Sequence, residues 1–330
     1  MFLYFVRIEG SRLQQYNFPP RQRGCVCFFS LSGFLIIKQL YDEKNKIGRI
    51  NLKSFFTKRV LRIFPLYYLV LIFGFLYYRC ILPYFGFEVD NDYHLLNGIL
   101  LSVTFFSNIF FTYSPGGILE ILWSIGIEEQ FYLMIAPILF ILPIKKIISF
   151  LIAFTGIYFF MYFSENLLFL KKFQMFFFYF SFSGMMAIFS ENLIFKRIVR
   201  KIRFLILLLF ILYFTTPIFS DYLPDFFYHL FSMILFGLTL VSLSYESIKV
   251  LDSRVMNYLG KISYGIYMYH AIVLQFVGLL YLKFLTLLKI NGTVLALSIY
   301  LLVIFFTVVV AHFSFKYYES YFFKLKRKMI

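Results

Sequence analysis

The residues of this chain best suited to chemistry fall in one stretch, Trp123-Ser124-Ile125-Gly126-Ile127-Glu128-Glu129-Gln130-Phe131-Tyr132, where two adjacent carboxylates and a glutamine open an apolar run reaching Leu142. In a helix Ser124, Glu128 and Tyr132 recur at i, i+4 and i+8 and share a face, while Glu129 points elsewhere. An ionisable side chain at bilayer depth costs at least ~2.5 kcal/mol and is by default functional. Glu128 can orient a hydroxyl or an imidazole, or simply accept structural hydrogen bonds. Trp123 suits interfacial anchoring or packing. A second group is Arg59 and Arg62, three residues apart on one helical face, where paired guanidinium groups can grip phosphate oxygens. The plainer reading is positive-inside anchoring, which Lys58 shares. A third is Ser263, Tyr267 and His270, at spacings of four and three along another apolar segment. There the imidazole can act as a base or bridge helices as a hydrogen-bonder. His94, His229 and His312 belong to no pattern and read as structural or loop residues. Ser32-Gly33 lacks the strand-turn-helix setting of a nucleophile and reads as a small pair for close packing.

Composition dictates the elements that must position these groups. The chain is 61% hydrophobic and only 15% charged, with repeated apolar runs near the ~20 residues that cross a bilayer. We expect an all-α, polytopic transmembrane helix bundle. The net charge of +16 does not indicate nucleic acid, because the Lys and Arg residues cluster between apolar segments; membrane lipids of the inner leaflet and an anionic substrate are the expected partners. Cys25, Cys27 and Cys80 form neither a disulfide framework nor a zinc-spaced set, so no metal site is expected.

Ten apolar candidates run from Cys27–Ile37 to Val294–Phe313. The loops between them alternate basic and acidic or neutral, provided that Leu95–Phe111 does not cross the membrane. With that segment re-entrant or interfacial, nine spans remain, the basic loops fall in the cytoplasm and the acidic ones outside. The domain reading is a polar N-terminal segment (residues 1–25), a membrane domain (26–320) and a basic cytoplasmic tail (321–330). Met1 to Gln22 carries Arg7, Glu9, Arg12, Arg21 and Pro19-Pro20, so it is neither a membrane helix nor a signal peptide, although parity asks for an earlier span.

Four groups of residues occur in a telling order: Phe28-Phe29-Ser30-Leu31-Ser32-Gly33-Phe34, Arg59-Val60-Leu61-Arg62-Ile63-Phe64-Pro65-Leu66-Tyr67, the Trp123–Tyr132 stretch, and Leu259-Gly260-Lys261-Ile262-Ser263-Tyr264-Gly265-Ile266-Tyr267-Met268-Tyr269-His270. In that order and approximate spacing they resemble the acyltransferase-3 family, bacterial integral-membrane O-acyltransferases of surface polysaccharides and related glycans. The resemblance implies a ten-helix core and transfer of an acyl group, most simply acetyl, from acyl-coenzyme A as co-substrate to a glycan or lipid-linked sugar hydroxyl. It implies no tightly bound cofactor, and a place in the bacterial cytoplasmic membrane. Arg59 and Arg62 match the family's acyl-donor arginines, and Glu128 and His270 match recurring positions taken here as catalytic. Ser124, Gln130, Tyr132, Ser263 and Tyr267 support them, and Glu319 matches a weaker position where only local pairing is expected.

One departure stands out. The family's first helix carries an Arg and, eleven residues later, a His thought to be the catalytic base. Here no His precedes His94, and Arg12 is followed at that offset by Arg23. Gly24-Cys25-Val26-Cys27-Phe28 also reads as the family's lead-in displaced by one nucleotide. The expectation is a frameshift just before Phe28 and a chain with little activity as written. Two competing readings are a glycan-precursor transporter or flippase, and a non-functional product of a disrupted gene.

Overall fold

The structure is a computed structural model that describes residues 20–87, 93–281 and 292–329, with side chains for 23–87, 93–281 and 294–325. Most of the N-terminal segment and the acidic loop 88–92 lie outside the described residues. Among those described there is no strand. The principal helices are α1 (Pro20–Ile47), α2 (Leu52–Leu76), α3 (Leu95–Val103), α4 (Ser107–Phe111), α5 (Leu122–Ile141), α6 (Ile144–Phe163), α7 (Phe177–Phe189), α8 (Leu193–Lys201), α9 (Arg203–Thr215), α10 (Asp225–Tyr245), α11 (Arg254–Leu280) and α12 (Gly292–Ser314). Among the described residues seven helices are long and apolar enough to cross a membrane, and two more, α7 and α9, are apolar but only 13 residues long. They coincide in sequence with the nine expected spans, of which seven have spanning length, since 13 residues rise only ~20 Å against a ~30 Å hydrocarbon core.

The chain divides into two compact units, Met1–Ile50 with Ile127–Ile248, and Asn51–Gly126 with Lys249–Ile330. The first is built around α7, ten of whose thirteen residues are buried, and which packs against α1, α6 and α10. Close approach explains the glycines here. A Cβ on Gly33 of α1 would lie 2.1 Å from the Phe180 carbonyl oxygen, and one on Gly184 of α7 would lie 2.2 Å from Ile37. Small residues let membrane helices approach backbone to backbone. Phe29, Phe131 and Phe180 stack in the space so defined, at 4.9 and 4.6 Å between centroids.

The sequence boundary at residue 25 falls inside α1. Arg23, counted with the polar segment, is 5% exposed; its guanidinium donates to the carbonyls of Tyr213 (2.7 Å) and Thr216 (2.9 Å) and to Ser220 Oγ (2.8 Å). It satisfies orphan carbonyls at the C-terminus of α9, where a cation is favoured.

In the second unit α2 carries Pro65 in its interior, and its buried face, including Leu66, Tyr67 and Val70, joins Ile118, Leu122, Ile262 and Met268 in one core. The segment Leu95–Phe111 breaks into helices of nine and five residues, neither long enough to span. Phe105 at the break has φ +62°, a left-handed conformation unusual for a bulky residue. Tyr67 holds the break together: its hydroxyl donates to Ser102 O (2.8 Å) and meets Ser107 Oγ at 2.6 Å, and its ring lies 4.7 Å from that of Phe105. Gly126 is required at the same place, since a Cβ there would sit 2.7 Å from Phe105 O.

Candidate active site

In the first unit α5 delivers Glu128 to a buried position, 4% exposed. Ser32 Oγ of α1 donates to Glu128 Oε1 at 2.7 Å, and the Tyr132 hydroxyl, one turn along α5, donates to the same oxygen. The sequence reading of Ser32-Gly33 as a packing pair therefore holds for Gly33 and is incomplete for Ser32. No spacing rule could have found this contact, because the partners are 96 residues apart. Gln130 lies half-buried between Glu128 and Tyr132 along α5, and Glu129 is buried as well. A carboxylate fixed by neutral hydroxyls in a desolvated setting can accept a proton or orient a hydroxyl donor.

In the second unit Ser124 Oγ meets the Tyr267 hydroxyl at 2.5 Å, and that hydroxyl also donates to Ile121 O at 2.8 Å. His270 is half-buried on α11, with Nδ1 against the Tyr267 carbonyl. The expected grouping of Ser263 with Tyr267 and His270 does not form a common polar cluster: Ser263 is exposed and donates to its own Gly260 carbonyl at 2.9 Å. Ser124, Glu128 and Tyr132 lie on one continuous helix at the expected spacing, with Ser124 bonded to Tyr267 and Tyr132 to Glu128. On α2, Arg62 is exposed, and Arg59 is partly buried with its guanidinium 5.6 Å from the Phe55 ring centre.

Glu319 pairs locally, as the sequence reading expected. It is 6% exposed at the end of a π turn, Phe315–Glu319, that follows α12, and it accepts from Ser314 Oγ at 3.2 Å. The histidines outside the motifs behave as expected. His229 is 2% exposed, with Nδ1 2.9 Å from the Tyr179 hydroxyl and Nε2 3.4 Å from Asp225, and His312 Nδ1 lies 2.6 Å from the Tyr258 hydroxyl. Among the described residues no group of His, Cys, Asp and Glu is placed to hold a metal ion.

Residues 21–313 match the family model described as an acyltransferase domain. The chain belongs to this acyltransferase family. Membership accounts for the motif order. A protein of Staphylococcus aureus (strain COL) named as a putative O-acetyltransferase is 31% identical over 137 residues, 37% of this chain and 21% of that protein. One from Acidianus two-tailed virus, named as a putative acetyltransferase, is 29% identical over 274 residues, covering 79% of this chain and 76% of the viral one. A Haemophilus influenzae protein without an assigned function is 32% identical over 129 residues, 36% of this acyltransferase-family chain and 49% of its own length. The match thus spans about one fifth of the length of the staphylococcal relatives. No solved structure matches the chain.

Proposed function

We propose that this chain is a membrane O-acyltransferase that moves an acyl group, most simply acetyl, from acyl-coenzyme A to a hydroxyl of an envelope glycan at the bacterial cytoplasmic membrane. The hydroxyl oxygen attacks the thioester carbonyl, a C–O bond forms and the C–S bond breaks, and the hydroxyl proton passes through a base to the departing thiolate. The products are the ester and free coenzyme A. Arg59 and Arg62 bind the anionic donor from the basic side. Glu128 orients or deprotonates the acceptor, and His270 is the second candidate base. The observation that carries this reading is the burial of Glu128 in a membrane helix, held by two hydroxyl donors and centred in a family motif. The staphylococcal and viral names support acetyl as the group.

The test is label transfer from acetyl-coenzyme A to a glycan acceptor by the purified chain in detergent, alongside calorimetric donor affinity. Glu128→Gln lowers transfer by about 10²-fold at unchanged donor affinity, the scale of a lost general base. Robust transfer that survives both Glu128→Gln and His270→Ala overturns the assignment. For orientation, reporters after Lys146, Lys201 and Arg254 are expected in the cytoplasm and those at Asp90 and Asp221 outside. An external Lys201 removes the donor-side placement.

A further inference from the structure

Helix α8, which joins the apolar helices α7 and α9, is too short to span and too basic to be buried. Its nine residues, Leu193-Ile194-Phe195-Lys196-Arg197-Ile198-Val199-Arg200-Lys201, rise only about 14 Å and hold four cations and no carboxylate. Asn192 caps it, its side chain accepting from the backbone N–H groups of Ile194 (2.9 Å) and Phe195 (3.2 Å). On one flank Val199, with Phe195 against it, joins Met186, Ile206 and Val241 in a small core of the first unit. Tyr245, at the end of α10, donates to Ser190 O at 2.6 Å, and the Lys196 ammonium lies 5.1 Å from its ring centre. The helix is thereby docked along one side.

The carboxylates beside α8 are neutralised within the protein. Glu191 pairs with Lys38 of α1 at 2.7 Å, and Glu246 with Arg203 at 2.5 Å and Arg200 at 3.3 Å. Arg197 and Lys201 are exposed and, among the described residues, enter no ion pair. They stand one turn apart on α8. On the adjoining strip of the helix Ile194 and Ile198, also one turn apart, are 71% and 53% exposed. Two cations and two isoleucines thus share one open patch, with the isoleucines turned away from the small core that Val199 enters.

A membrane interface satisfies both halves of such a patch: acyl chains take the apolar strip and anionic headgroups take the cations. We propose that α8 lies in the plane of the interface and that Arg197 and Lys201 hold the headgroup phosphate of an anionic phospholipid, with Ile194 and Ile198 seated among acyl chains. The residues flanking α8 bind it to α1, α9 and α10, so lipid held there stabilises the packing of these helices in the first unit. None of the residues assigned to acyl transfer takes part, and the proposal stands or falls apart from that reading.

The experiment is the melting temperature of the full chain in a neutral detergent with added dioleoylphosphatidylglycerol, dioleoylphosphatidylcholine or soluble glycerol 3-phosphate. The anionic lipid is expected to raise it by about 3 °C or more, the scale of a ligand in excess of its Kd, and the other two to leave it unchanged. Arg197→Gln with Lys201→Gln loses most of this gain yet melts like wild type in the neutral lipid, because neither side chain makes an internal ion pair. Lys145→Gln with Lys146→Gln, which removes the same charge from the exposed start of α6, keeps the gain. Ile194→Ser with Ile198→Ser retains every cation and still loses it. No gain with the anionic lipid overturns the proposal, as does an equal loss in the two charge variants, which means bulk attraction alone. An equal gain with glycerol 3-phosphate means a free-phosphate site, and a full gain in the serine variant means attraction without insertion; either result also overturns it.

Discussion

Glu128 and Glu319 are both buried carboxylates, one in each unit; Glu128 is bonded by Ser32, the residue before Gly33, and Glu319 stands against Gly265. The two glycines act in opposite ways. Gly33 removes a side chain between two backbones, so that α1 and α7 close to a separation at which a Cβ would meet the Phe180 carbonyl at 2.1 Å, and on the same stretch of α1 Ser32 reaches Glu128. Gly265 removes a side chain in front of the carboxylate itself, at 3.1 Å. A backbone carbonyl within a packed helix pair cannot retreat, whereas a glutamate side chain can. The first glycine therefore secures the packing on which a site depends, and the second makes room for a carboxylate directly. The cost of an added methyl group should separate along that line.

The largest expected effect follows from this contrast. Gly33→Ala forces α1 away from α7 and should destabilise the protein by about 3 kcal/mol, the upper range for overpacking a close-packed interior. Gly265→Ala needs only a few tenths of an ångström of adjustment and should cost about 1 kcal/mol or less. Unfolding in detergent, followed by circular dichroism, checks both. Equal losses at the two positions would erase the distinction between a backbone-limited and a side-chain-limited glycine.

The same contrast explains what the sequence could disclose. The helices were legible because long apolar runs with basic and acidic loops in alternation admit few other solutions in a bilayer. Tyr132 was legible as a neighbour of Glu128, since i and i+4 meet on any regular helix. Ser32 was not, because its contact depends on how α1 packs. The local pairing of Glu319 was legible, and Ser314 supplies it across the π turn Phe315–Glu319. Charge parity marked Leu95–Phe111 as non-crossing, yet the residue that breaks the segment, Phe105 at φ +62°, carries none of the glycine or asparagine signals of a left-handed turn. Arg23 looked like part of a polar segment because the carbonyls it caps lie about 190 residues away. Local spacing and charge were readable, and long-range polar pairing was not.

A smaller effect is expected at the exposed Arg62. Arg62→Ala should weaken acetyl-coenzyme A binding by roughly ten- to a hundredfold, the worth of one charge-assisted hydrogen bond at ~1.5 to 3 kcal/mol. Arg62→Lys should recover only part of this, since lysine keeps the charge without the planar two-pronged contact. Full recovery by lysine would mean that the charge alone matters, and that orientation at this position is unimportant.

The smallest effect tests how Glu128 is held. Ser32→Ala and Tyr132→Phe each remove one hydroxyl donor to the same oxygen, and each should cost about 1 kcal/mol of stability. Their combination should cost more than the sum, because the first loss leaves the buried carboxylate one of these two hydroxyls and the second leaves it neither, exposing the full desolvation penalty of a charged group. Adding Glu128→Gln to the double variant should restore part of the loss, since an amide is far less demanding to bury than a carboxylate. Chemical unfolding of the four variants measures this directly. If the two losses add without excess and glutamine restores nothing, the hydroxyls act independently of the charge, and Glu128 is stabilised by something other than the Ser32–Tyr132 pair.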